Sequence, residues 1–81
     1  MSTSEKIASE LADTTIAIMD KSGDDRLHFE VAALLGASSQ TLEEAFLTEV
    51  RVRMAGKQAK AFLKKKVAEL TEPEKTTKKP G

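Results

Sequence analysis

The chain has 81 residues, with 13 basic and 13 acidic side chains, one histidine and no cysteine, tryptophan or tyrosine. This length allows one domain at most, and an apolar content of 40% with three phenylalanines predicts a small, mainly aliphatic core. The composition excludes disulfides and metal sites made of thiolates or several histidines, and it predicts a protein that is not an enzyme and holds no cofactor. The charge is polarised, because residues 1–40 carry a net charge of −4 and residues 41–81 a net charge of +4.

The first two predicted elements are helices over residues 4–19 and 28–36. The first follows Ser4, and its apolar residues recur at helical spacing until a cluster of turn-forming residues begins at Asp20. The second helix ends at Gly36, where we expect the positive φ angle that is common after a helix.

Two further helical segments, 41–55 and 57–70, are predicted to be either separate or continuous. Thr41 and Glu44 have the spacing of a capping box at the start. The tail 71–81 contains two prolines and no aliphatic residue, which predicts disorder. The predicted fold is therefore an all-α bundle of three or four helices in one domain, residues 1–70.

The long pattern from residue 42 to residue 70 contains two apolar stripes on different faces. The first comprises Leu42, Phe46, Val50 and Met54, and the second comprises Ala59, Leu63, Val67 and Leu70. Gly56 lies between them, so we expect a bend or break there, or two halves that pack against different partners. The segment 57–70 is accordingly a candidate for contact with a second protein chain.

Residues 30–46, which read EVAALLGASSQTLEEAF, have the pattern of two short helices that cross at a tight turn. Ala32 is the small residue at the crossing, Gly36 tolerates positive φ in the turn, and Ala37 fills the turn. The inward positions are Val31, Leu35, Leu42 and Ala45 or Phe46. This segment resembles the helix-turn-helix of bacterial and phage DNA-binding proteins.

The resemblance implies that the start of the second helix reads DNA bases. The side chains that would face the DNA there are Ser38, Ser39, Gln40, Glu43 and Glu44. An acid-free segment with seven lysines or arginines, Arg51 to Lys66, follows directly. Its predicted phosphate contacts are Arg51, Arg53, Lys57, Lys60 and Lys64, the last three on one helix face. The alternative for this segment is a solvated helix face.

The loop from Asp20 to Val31 is similar to an EF-hand calcium loop. Asp20, Ser22 and Asp24 occupy its first, third and fifth positions, but Asp25 stands where the loop needs glycine and Val31 where it needs a bidentate glutamate. A polar turn between two helices explains the same residues, so no metal ligand is assigned.

The leading hypothesis is a small helix-turn-helix regulatory protein that binds double-stranded DNA as a dimer. The alternative is a helical adaptor that acts through protein contacts of the 57–70 helix, and the third is a degenerate calcium-binding hand. The chain has no apolar run of 18 residues and no signal-like start, which predicts a cytoplasmic protein without membrane contact.

Overall fold

The computed structural model describes residues 2–71, which form three α-helices. Helix α1 spans Thr3–Ser22, α2 spans Leu27–Gly36 and α3 spans Gln40–Thr71. The predicted all-α class is confirmed, and the described residues form three helices. The predicted disordered tail lies outside the described residues, except for Thr71, which ends α3.

Helix α1 begins one residue earlier than predicted and ends three residues later. Its N-cap is Ser2 and not Ser4. Ser2 and Glu5 form a capping box, in which the backbone N–H of each residue donates to a side-chain oxygen of the other at 3.1 Å. The helix ends at Gly23, which has a φ of 78° and donates its N–H to the Met19 carbonyl at 2.9 Å. Glycine accepts this left-handed backbone without steric cost, so the helix continues past Asp20 to reach it.

The connection between α2 and α3 is a three-residue turn, 37–39, and it corrects three predictions. Gly36 has no positive φ, and Ala37 is exposed in a helical backbone conformation instead of filling the turn. The N–H groups of Ser38 and Ser39 both donate to the Leu35 carbonyl, so helix-like turns end α2 without a left-handed residue. Ser39 rather than Thr41 caps α3, because its Oγ accepts the Leu42 N–H at 3.1 Å.

Helix α3 is continuous through Gly56, so of the two alternatives for the segments 41–55 and 57–70, separate or continuous, the continuous helix is the one observed. A glycine in a helix costs only about 1 kcal/mol, and the remaining 31 residues of α3 supply the hydrogen bonds that continue it. At about 1.5 Å per residue, α3 is about 48 Å long. This length explains the elongated shape of the chain, 60 × 28 × 16 Å.

The core lies where α3 crosses α1 and α2, and it is built from one large side chain among small ones. Its buried members are Ala8 and Ala12 of α1, Ala32 of α2, and Phe46 and Val50 of α3. The alanines let the helix axes approach closely, and Phe46 fills the space between them. Partly buried aliphatic residues surround this centre, among them Leu11, Val31, Leu42 and Met54.

Candidate nucleic-acid interface

Helices α1 and α3 lie side by side and run in the same direction. Ser9 and Asp13 of α1 contact Arg53 of α3, and further along Asp20 contacts Lys57. Residues of α1 thus lie beside residues about 40 positions later in the chain. Because α1 ends at Ser22, the last third of α3 extends beyond it, and every residue from 55 to 71 is exposed.

Arg53 is the main polar link between these two helices. Its Nε donates to Asp13 Oδ1 at 2.7 Å, its Nη1 to Glu49 Oε1 at 2.6 Å and its Nη2 to Ser9 Oγ at 2.9 Å. The hydrogen bonds to Glu49 and then Asp13 raise the pKa of the guanidinium above its already high ordinary value. Only 23% of the side chain is exposed. The structure therefore places this predicted phosphate ligand in a contact within the chain.

Lys57 is also paired within the chain, whereas other predicted cations are available. Lys57 Nζ contacts Asp20 Oδ1, and both side chains are about half exposed. Arg51, Lys60 and Lys64 are exposed and form no ion pair with any residue between 2 and 71. Of the five predicted phosphate contacts, three thus present an unpaired charge at the surface of the described chain.

Lys57, Lys60 and Lys64 form one surface, here called the basic face. At about 100° per residue they lie within about 60° of one another around α3. Phe46 and Val50 lie on the same side of the helix, packed against α1 and α2. As α3 leaves α1, the side of the helix that was buried therefore becomes basic.

The turn residues lie at the other end of α3, and only some are available to a partner. Ser38 and Gln40 are exposed, while Ser39 is half-buried and uses its hydroxyl as the helix cap. Glu43 is half-buried with its carboxylate against Gly36, where an added Cβ would lie 2.5 Å from Glu43 Oε1. Its neighbour Glu44 is exposed.

The inward side of the turn agrees with the helix-turn-helix pattern. Ala32 and Phe46 are buried, and the other predicted inward residues are partly buried against the core: Val31, Leu35, Leu42 and Ala45. The start of α3 after the turn carries no lysine or arginine: the first basic residue of the helix, Arg51, lies 11 residues after Gln40, about 16 Å along the helix. The two candidate surfaces, the turn and the basic face, are therefore separate.

Side-chain oxygens at the end of α1 and in the loop after it accept hydrogen bonds from backbone N–H groups of the same loop. Ser22 Oγ accepts the Asp24 N–H at 3.1 Å, and Asp24 Oδ1 accepts the Arg26 N–H at 3.0 Å. Asp20 and Ser22, the first and third positions of the EF-hand-like loop, lie inside α1. Within residues 2–71 no group of three histidine, aspartate or glutamate side chains is placed to hold a metal ion.

A second surface on α3 is apolar and exposed, and the sequence interpretation identified it only in part. Leu63, Val67 and Leu70 were recognised as one stripe, but Val52 and Phe62 also belong to it, and these five side chains are 57–77% exposed. Val52 lies 11 residues, about three helical turns, before Leu63, and this helical spacing is the signal that could have found it. Phe62 precedes Leu63 directly and lies at the edge of the same side of the helix.

No protein-family model, curated protein or solved structure matches this chain. None of the helices in the described part of the chain combines the length and the hydropathy of a membrane-spanning segment.

Proposed function

We propose that this chain is a small, non-enzymatic, helical protein that binds double-stranded DNA, with the exposed half of α3 supplying the phosphate contacts. The observation that carries the proposal is the acid-free segment Arg51 to Lys66, whose exposed lysines lie on a helix that extends beyond α1. A helix of this kind can lay Lys60 and Lys64 along one phosphate backbone, where each contact releases counterions.

The turn between α2 and α3 would set the position of the protein on DNA. Its length of three residues and the buried Ala32 and Phe46 support a helix-turn-helix arrangement. The available polar side chains there are Ser38 and Gln40, because Glu43 contacts Gly36. The candidate phosphate contacts are charged and the two candidate base contacts are neutral, so we expect binding that depends strongly on salt and weakly on sequence.

Fluorescence anisotropy with a random duplex of about 20 base pairs tests the proposal, with the salt concentration varied between about 50 and 200 mM. We expect binding at low salt, and we expect the double variant Lys60→Gln/Lys64→Gln to reduce the slope of log K against log salt by about 1.8. The matched control, Lys6→Gln/Lys21→Gln, removes two exposed charges from α1. No binding at low salt, or equal effects of the two double variants, would refute the proposal.

A second candidate function is that of an adaptor that binds another protein through α3. The exposed apolar stripe on α3 favours it, because a contiguous apolar strip on a free helix is a common docking surface. The two functions use different sides of one helix, so they are compatible. Protein association that persists in high salt, together with no DNA binding, would favour the adaptor alone.

A further inference from the structure

Two acidic residues of α1 lie along the basic side of α3. Asp13 contacts Arg53. Asp20, which lies seven residues or about two helical turns further along α1, contacts Lys57. In the proposed complex a phosphate backbone would lie along this same side of α3. The two carboxylates of α1 therefore occupy positions on α3 that phosphate groups would otherwise take.

The two contacts differ in how firmly they hold the basic side chain. Arg53 donates hydrogen bonds to three side chains of α1 and α3, and only 23% of its own side chain is exposed, so it belongs to the packing between these helices. Lys57 contacts a single carboxylate, that of Asp20, and the two side chains are 54% and 53% exposed. Lys57 is thus a surface cation that DNA could reach if Asp20 did not neutralise it.

We propose that Asp20 is an autoinhibitory residue, which holds Lys57 and keeps it out of the contact with DNA. This inference rests on the proposed function, because it concerns the strength of the same basic face. In the unaltered chain the phosphate contacts of that face are then Lys60 and Lys64, and Asp20 sets their limit towards the start of α3.

The position of Asp20 makes it effective against the neighbouring lysines as well. It lies in the last turn of α1, where α3 begins to extend alone. Lys60 and Lys64 follow Lys57 by about 5 and 11 Å along α3, which is close to the screening length of about 10 Å in 0.1 M salt. A carboxylate at this place cancels the charge of Lys57 and repels a phosphate bound to Lys60. Loss of Asp20 therefore adds one cation to the face and removes one repulsion.

The first experiment compares Asp20→Asn with the unaltered chain in the anisotropy assay with the random duplex. One additional phosphate contact should steepen the slope of log K against log salt by about 0.9 and tighten binding by about eightfold in 0.1 M salt. Exposed ion pairs contribute little to stability, so the variant should fold, and circular dichroism at 222 nm checks this.

The matched control is Asp25→Asn. It removes an exposed carboxylate five residues later, which forms no ion pair with any residue between 2 and 71. The net charge of the chain rises by the same amount as in Asp20→Asn, but no cation of α3 is released. We therefore expect the slope to stay unchanged.

Two double variants test whether the gain passes through Lys57. Asp20→Asn/Lys57→Gln should return the slope to that of the unaltered chain. Asp20→Asn/Lys21→Gln removes an exposed lysine of α1 instead and should keep the steeper slope. A gain that both double variants keep, or that both lose, would overturn the proposal.

The second experiment follows the ε-methylene NMR signals of the lysines while the duplex is added. In the unaltered chain the signals of Lys60 and Lys64 should shift and that of Lys57 should not, whereas in Asp20→Asn all three should shift. A Lys57 signal that shifts equally in both proteins, or equal anisotropy results for Asp20→Asn and Asp25→Asn, would overturn this inference and leave the proposed function standing. No binding by the unaltered chain at low salt would refute both.

Discussion

The two glycines that end α1 and α2 predict opposite effects of the same substitution. Gly23 has a φ of 78°, whereas Gly36 lies within α2 and has no positive φ. We therefore expect Gly23→Ala to lower the free energy of unfolding and Gly36→Ala to raise it. A reading of the sequence alone, which assigns a positive φ to Gly36, predicts a loss there as well.

The magnitudes follow from the surroundings of each glycine. At Gly23 an added Cβ meets nothing within 4 Å, so the cost is that of a left-handed backbone, about 1–2 kcal/mol, less about 0.5 kcal/mol for the stiffer unfolded chain. At Gly36 a helical alanine gains about 1 kcal/mol. Its Cβ would lie 2.5 Å from Glu43 Oε1, so the Glu43 side chain must rotate, at a cost of about 0.5 kcal/mol. The two variants should differ by about 1–2 kcal/mol.

Urea unfolding followed by circular dichroism at 222 nm measures this difference, with both variants at one low protein concentration. For a domain of this size, with a slope near 1 kcal/mol/M, the midpoints should be about 1 M apart or more. Adding Glu43→Ala to Gly36→Ala removes the contact and isolates the backbone effect. If Gly36→Ala still destabilises the protein in that background, then Gly36 is not helical and the reasoning is refuted.

Four further substitutions test the packing. Phe46→Ala should lower the free energy of unfolding by about 3–5 kcal/mol, because its alanine neighbours cannot fill the cavity. Phe62→Ala, at an exposed position, should change it by less than about 0.5 kcal/mol. Similar urea midpoints for the two variants would contradict the described core. Arg53→Ala should lower the free energy of unfolding by about 1–2 kcal/mol in the same assay. The loss should be nearly the same in 1 M salt, because only 23% of the Arg53 side chain is exposed. A loss that disappears in high salt would mean that Arg53 forms only a surface ion pair. His28 is buried with no hydrogen-bond partner for Nδ1 within residues 2–71, so His28→Leu should raise the melting temperature, and a fall would point to a partner for this atom.

Local features of the chain explain why its helices could be predicted but their ends only approximately. The apolar spacing of α1 and α3 and the turn-forming residues after Asp20 are all short-range patterns. Several residues near each helix end can act as caps, however, and the choice among them depends on packing. Ser2 and Ser39 were missed in this way, in favour of Ser4 and Thr41.

The candidate DNA-binding residues could likewise be predicted only in part from local features of the sequence. Exposed Lys60 and Lys64 could be found from the charge pattern, because no acidic residue lies within four positions of either. Arg53 and Lys57 belong to the same basic segment but pair with Asp13 and Asp20, which lie 40 and 37 positions earlier. Glu49, four positions before Arg53 and paired with it, gives a local signal for that residue, but no local pattern sets Lys57 apart from Lys60 and Lys64.

By itself, the sequence determined the all-α class, the separation of acidic and basic halves and the helical spacing of apolar residues at the end of α3. Only the tertiary structure decided which charges remain free, because the parallel packing of α1 against α3 brings acids of the first half onto part of the basic segment. The same packing ends where α1 ends, and for this reason the last third of α3 keeps both its lysines and its apolar stripe exposed.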